Sequence, residues 1–147
     1  MKQLLGILVI SLLWCNVVYA LNFQELEKYI EKNTGTVSAI YMFERCSALT
    51  HFMYLKLQKE GSPAAPKNKN FSDEFFLFAE IFYIKHHNVS ENIARKKVLE
   101  SIKRMIQLYE EDAEEMYNKN GLYLSGIILS DYNFCLILYG KTKSKLN

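Results

Sequence analysis

The strongest limit on what this chain can fold into comes from two cysteines far apart in sequence, Cys46 and Cys135. They remain when an N-terminal leader carrying the third, Cys15, is set aside. In an oxidising compartment two cysteines allow a single intramolecular pairing. The segment around Cys46 must then lie against the segment around Cys135, with Cα atoms within about 6 Å. Closing a loop of about ninety residues stabilises a fold by about 4.6 kcal/mol in the chain-entropy view, comparable to the net stability of a small domain.

That reading depends on export, and residues 1–20, MKQLLGILVISLLWCNVVYA, have the parts an export signal needs. Lys2 gives a positive end, Leu4 to Trp14 an apolar core, and Val18-Tyr19-Ala20 a cleavage pattern. Asn16 interrupts the apolar run before it reaches the roughly twenty residues of a spanning helix. Acylation at Cys15 is disfavoured by the bulk of Trp14 before it. The expectation is therefore a signal peptide over 1–20 and a single helical domain over 21–147, periplasmic or secreted, with no stable membrane span after cleavage. The leader holds one base and no acid, which leaves 17 basic against 16 acidic side chains. So balanced a charge does not call for nucleic acid as a partner.

Helical periodicity dominates the rest. Asn22-Phe23-Gln24-Glu25 predicts an N-cap and a short helix to about Lys32, ended at Asn33-Thr34-Gly35. Ala39, Met42, Cys46, Leu49 and Met53 step by three or four residues, which predicts a central buried helix opening near Thr36 to Ser38 with Cys46 facing inward. Glu60 to Asn70 holds both prolines and no apolar period, and reads as the longest, most mobile connection. Ser72 is the expected cap of a third helix carrying Phe75, Phe76, Phe78, Phe82 and Tyr83, closed by Lys85-His86-His87-Asn88.

Ser90 then opens the longest helix, with a stripe from Ile93 through Val98, Ile102, Met105, Tyr109 and Ala113 to Met116. Glu91 with Arg95 and Glu100 with Arg104 are the expected pairs on its wet face, and Asn118 to Gly121 is a stop signal. Leu122 to Tyr139 is an eighteen-residue apolar stretch, but Asp131 and Asn133 near its middle argue against a bilayer. It reads as a buried helix opening at Ser130 or Asp131, preceded by an extended or helical lead-in from Leu122 to Leu129 and followed by a basic, frayed tail.

Several residues invite a chemical reading, and each has a plainer one. Cys46 with His51, or Cys135 with Asp131, would suggest a catalytic thiol. Five residues along a helix turn His51 away from Cys46, however, and a free thiol must survive oxidation. His86 and His87 diverge by about 100 degrees around a helix and lack further ligands at metal spacing, so helix-end histidines are expected. Glu110 to Glu115 form an acidic block, with Glu111, Glu114 and Glu115 on one solvated face. Asn88-Val89-Ser90 matches a glycosylation sequon, meaningful only in a eukaryotic host. Glu44, Arg45 and Glu80 are the charges expected to be poorly solvated. The natural arrangement is a buried ion pair in which Arg45 meets Asp131 or Glu80 near the disulfide. No catalytic, cofactor or metal residue is expected.

ERCSAL at Glu44 to Leu49, with DYNFC at Asp131 to Cys135, resembles small exported helical proteins of unknown function from bacteria. These carry Arg-Cys on an early helix and Cys on the last, and the resemblance implies export, one disulfide and a helical bundle. The expected fold is all-α, a small bundle of four main helices plus a short N-terminal helix. The expected function is an exported, non-catalytic binding or accessory module, and the partners in view are another protein or a small apolar ligand. The alternative is a carrier of a small hydrophobic ligand in an aromatic-lined cavity.

Overall fold

A computed structural model describes residues 24–124 and 126–143. The leader expected at 1–20, the expected N-cap Asn22 and residues 144–147 lie outside the described residues. Among those residues the chain forms five helices: α1 Leu26–Lys32, α2 Thr36–Lys59, α3 Ala65–His87, α4 Glu91–Asn120 and α5 Ile127–Lys143. Four are long and α1 is short, and Cys46 of α2 is bonded to Cys135 of α5 with Cα atoms 5.5 Å apart.

α2 is the central element. It packs most extensively on α3, and also on α4 and α5, while α1 lies mainly against α5. Leu49, Ala48 and Cys46 are fully buried, and Phe43, Phe52 and Met53 extend the buried surface round the helix. The aromatic surplus fills this interior, with the Phe43 ring 5.4 to 6.2 Å from those of Phe75, Phe78 and Phe82. Phe71 of α3 meets Tyr139 of α5 with centroids 4.2 Å apart.

Local chemistry differs from the sequence expectation where α1 opens, at Leu26 with Glu25 before it rather than just after Asn22, and in four further places. First, the connection expected over Glu60 to Asn70 shrinks to Glu60 to Ala64, because α3 opens at Ala65 with a proline in its first turn. The missing N–H of a proline there is one the helix leaves unpaired anyway, and its fixed φ suits the start of a helix. Asn68 looked like loop composition but is buried, donating to the Ala64 carbonyl at 3.1 Å and accepting from the Tyr132 hydroxyl at 2.9 Å. Second, Ser72 is therefore not a cap but a buried mid-helix residue.

Third, the stripe of α4 begins at buried Ala94, whereas Ile93 is 52% exposed. The run Ala94, Val98, Ile102, Met105, Tyr109, Ala113 keeps one face, and the larger side chain one residue earlier points away from it. Fourth, α5 already opens at Ile127, so the end of the expected lead-in, Ile127 to Leu129, is helical and continuous with Ser130 and Asp131; it starts immediately after Gly126, whose φ of 59° is the left-handed conformation glycine adopts without steric cost. The ends of α3 and α4 follow the sequence, with Asn88 and Gly121 both in left-handed C-cap conformations.

Candidate functional site

Two places gather polar chemistry, a buried ionic centre beside the disulfide and a groove between α2, α3 and α4. The ionic centre follows from the bridge. Arg45 is adjacent to Cys46, and Asp131 lies one turn before Cys135, so joining the sulfurs brings the two charges together. Asp131 Oδ2 accepts from Arg45 Nε at 2.8 Å, from Arg45 Nη2 at 2.5 Å and from the Tyr109 hydroxyl at 2.6 Å. Its Oδ1 accepts the Leu26 backbone N–H at 2.7 Å. That N–H belongs to the first residue of α1, so a carboxylate from α5 caps the helix at its positive end. Arg45 also donates from Nε to the Tyr109 oxygen at 3.0 Å and from Nη1 to the Tyr41 oxygen at 3.1 Å.

Arg45, Tyr109 and Asp131 are all completely buried. Burial alone would lower the Arg45 pKa, but Tyr109, Asp131 and Tyr41 outweigh it, so the guanidinium is held as a cation. Burial first, then the Asp131 charge, pushes the Tyr109 phenol well above its usual range, so it stays protonated and donates. Every partner is a hydrogen-bonding match, as a buried pair requires. The centre ties α1, α2, α4 and α5 together, and none of the side chains of Arg45, Tyr109 and Asp131 is exposed to solvent.

Glu80 does not join this centre. It is 4% exposed on α3 and accepts from Arg95 of α4, at 3.1 Å from Nε and 3.5 Å from Nη2. The turn of α3 aims it at α4 rather than at α5, which divides the expected trio into two pairs. Arg95 also lies 3.6 Å from Glu91, whereas Glu100 meets Lys97 at 3.4 Å rather than Arg104. Glu44 is 6% exposed and accepts from the Ser101 hydroxyl at 2.7 Å. Burial raises its pKa to about 7, against the smaller opposing effects of Ser101 and Arg104.

The groove arises where small side chains meet. Ser47 of α2 donates to the Ser72 carbonyl at 2.9 Å, and Ser72 of α3 donates back to the Ser47 carbonyl at 3.0 Å. The exchange satisfies both hydroxyls and holds the helices close, but two serines leave the space beside them unfilled. The resulting groove has a volume of about 600 Å³ and is open to solvent. Phe76 and Leu77 of α3 and Leu99, Ile102 and Ile106 of α4 line it, together with the polar side chains of His51, Asp73, Arg95 and Lys103. Burial lowers the His51 pKa, favouring the neutral ring, with Asp73 opposing and Lys69 adding to the effect. Leu77 is 49% and Leu99 41% exposed, so apolar walls face solvent. The walls are mostly aliphatic. Sequence reasoning did not find this groove, because Ser47, Ser72 and Leu99 carry no motif and become a site only through the register of three helices.

The remaining candidates sit on the surface. The rings of His86 and His87 touch edge to face with centroids 4.6 Å apart, and Tyr83 lies against His87. Among the described residues no group of three potential metal ligands occurs. Asn88 is exposed in the α3–α4 turn. Glu111, Glu114 and Glu115 are exposed; Glu111 accepts from Gln107 at 2.9 Å and Glu115 meets Lys119 at 2.5 Å. Asp112 is half-buried, and burial, with Glu115 and Asp131 adding, raises its pKa. No helix among the described residues is long and apolar enough to cross a membrane. No protein-family model, curated protein or solved structure matches the chain.

Proposed function

We propose that this chain is an exported, non-catalytic binding module whose contact surface is the groove between α2, α3 and α4. The observation that carries the reading is the groove itself, where Leu77 and Leu99 leave apolar surface in water beside Phe76 and Ile106. Contiguous apolar surface in water, set among polar side chains, is the composition an interaction site has. Its volume falls within the roughly 300–1,000 Å³ of ligand sites, and its open side suits the surface of another molecule better than an enclosed ligand.

The chemistry elsewhere supports binding over catalysis. Both candidate thiols are joined to each other, and Arg45 and Asp131 are sealed in the interior. Glu80 is engaged by Arg95 and Glu44 by Ser101. Export is supported by the pattern of residues 1–20 and by the fit of a disulfide to an oxidising compartment. Mass spectrometry of the exported protein is expected to find a chain starting at Leu21, and a chain retaining Met1 would overturn the export reading.

The test of binding uses a hydrophobic dye. The only tryptophan of the chain lies in the leader, so dye emission from the mature protein is read without tryptophan background. Dilute protein is expected to enhance the dye's emission, and the double change Leu77→Asp with Leu99→Asp is expected to remove most of that enhancement while circular dichroism stays unchanged. Equal enhancement by a folded variant would show that the groove is not the binding surface.

A further inference from the structure

We propose that the partner of the groove is a second copy of this chain, docked with α4 antiparallel to α4 about a two-fold axis beside Ile106. The inference rests on the reading of the groove as a contact surface and adds the identity of what covers it. Leu99, Lys103, Ile106 and Glu110 follow one another along α4 at steps of four, three and four, which sets them on one face. Leu99 is 41% exposed, Lys103 and Glu110 are exposed and Ile106 is half-buried. Leu99, Lys103 and Ile106 line the groove, and Glu110 continues the same face one turn beyond it.

The order of charge along α4 selects the occupant. Residues 95–104 hold five bases and the single acid Glu100, while residues 110–115 hold five acids and no base. Ile106 lies between the two blocks. A parallel copy would set like charge on like. Of these charges Lys96, Lys103, Glu110 and Glu114 share the face of Leu99 and Ile106, while Lys97, Arg104, Glu111 and Glu115 lie on the far side of the helix. An antiparallel copy sets the bases of this face toward the acids of the other copy's face, and Lys103 then faces Glu110 of the second copy twice. Such self-complementarity is what an isologous two-fold interface requires. The apolar walls at Leu77, Leu99 and Ile106 are covered in the same step, and no described ion pair within one chain uses Lys103 or Glu110.

Sedimentation velocity of the mature chain from micromolar to millimolar concentration tests this. The wild type is expected to dimerise, more weakly at high salt. Lys103→Glu and Glu110→Lys, each placing like charges opposite one another twice, are expected to weaken dimerisation by about tenfold each. The double variant K103E/E110K restores opposite charges and is expected to recover dimerisation, which a merely structural role for either side chain would not produce. A monomer at every concentration, or a dimer indifferent to these changes, would overturn the proposal. Dye binding to dilute protein is read separately: if it persists in the groove of a chain that never dimerises, self-association fails and the binding-module reading stands.

Discussion

Replacing Asp131 by alanine removes the acceptor that four donors share. Arg45 would remain a completely buried cation without its carboxylate. Breaking a buried pair from one side costs about 3–5 kcal/mol. The Tyr109 hydroxyl and the Leu26 N–H also lose this acceptor, at about 1–3 kcal/mol for a buried group that finds no other. These terms overlap because the groups relax together, so the expected loss is about 5 kcal/mol, near the whole stability of many domains of this size. Urea melts followed by circular dichroism measure it. The paired change Arg45→Met with Asp131→Leu removes both charges and is expected to be more stable than Asp131→Ala alone, since nothing charged is left stranded. A loss below about 1 kcal/mol for Asp131→Ala would refute the burial and coupling on which the estimate rests.

Three further outcomes are expected. Glu44 binds its proton more tightly folded than unfolded, so the stability it confers is full below about pH 4.5 and is lost as pH rises through about 7. The effect is about 3 kcal/mol at most; Glu44→Gln should gain on the wild type between about pH 5 and about pH 8, and a pH-independent difference would contradict the burial. Changing Cys46 and Cys135 together to alanine should cost up to about 4.6 kcal/mol in thermal or urea unfolding, and non-reducing peptide maps of the wild type should recover the two peptides linked. Changing Glu111, Glu114 and Glu115 together to glutamine should shift the stability of dilute, monomeric protein by no more than about 0.5 kcal/mol, whereas a calcium-dependent melting shift lost in the variant would assign the block a metal-binding task.

The sequence made the helical class and the Cys46 to Cys135 pairing legible for different reasons. Periodicity of apolar residues reports a helix wherever one face is buried, and two cysteines admit one pairing. Arg45 was legible as a poorly solvated charge because it sits beside Cys46 on an apolar helix. Its choice of Asp131 over Glu80 was not, because both acids were within plausible reach and only the turn of α3 sends Glu80 to Arg95. The start of α3 was misread for a local reason: Pro66 and Asn68 have loop-like composition, but one occupies the first helical turn and the other is paired inside by Tyr132. The groove was hidden because it is made by what Ser47 and Ser72 fail to fill, a property of two helices in register that neither segment carries alone.

Amide chemical-shift mapping during titration of dilute mature protein with a hydrophobic dye tests the central claim most directly. Shifts are expected to concentrate at Ser47, His51, Phe76, Leu99 and Ile102, the residues around the groove. Shifts confined to Phe52, Lys56, Tyr123 and Leu124, which line a smaller cleft of about 300 Å³ between α2 and the segment after α4, would contradict it.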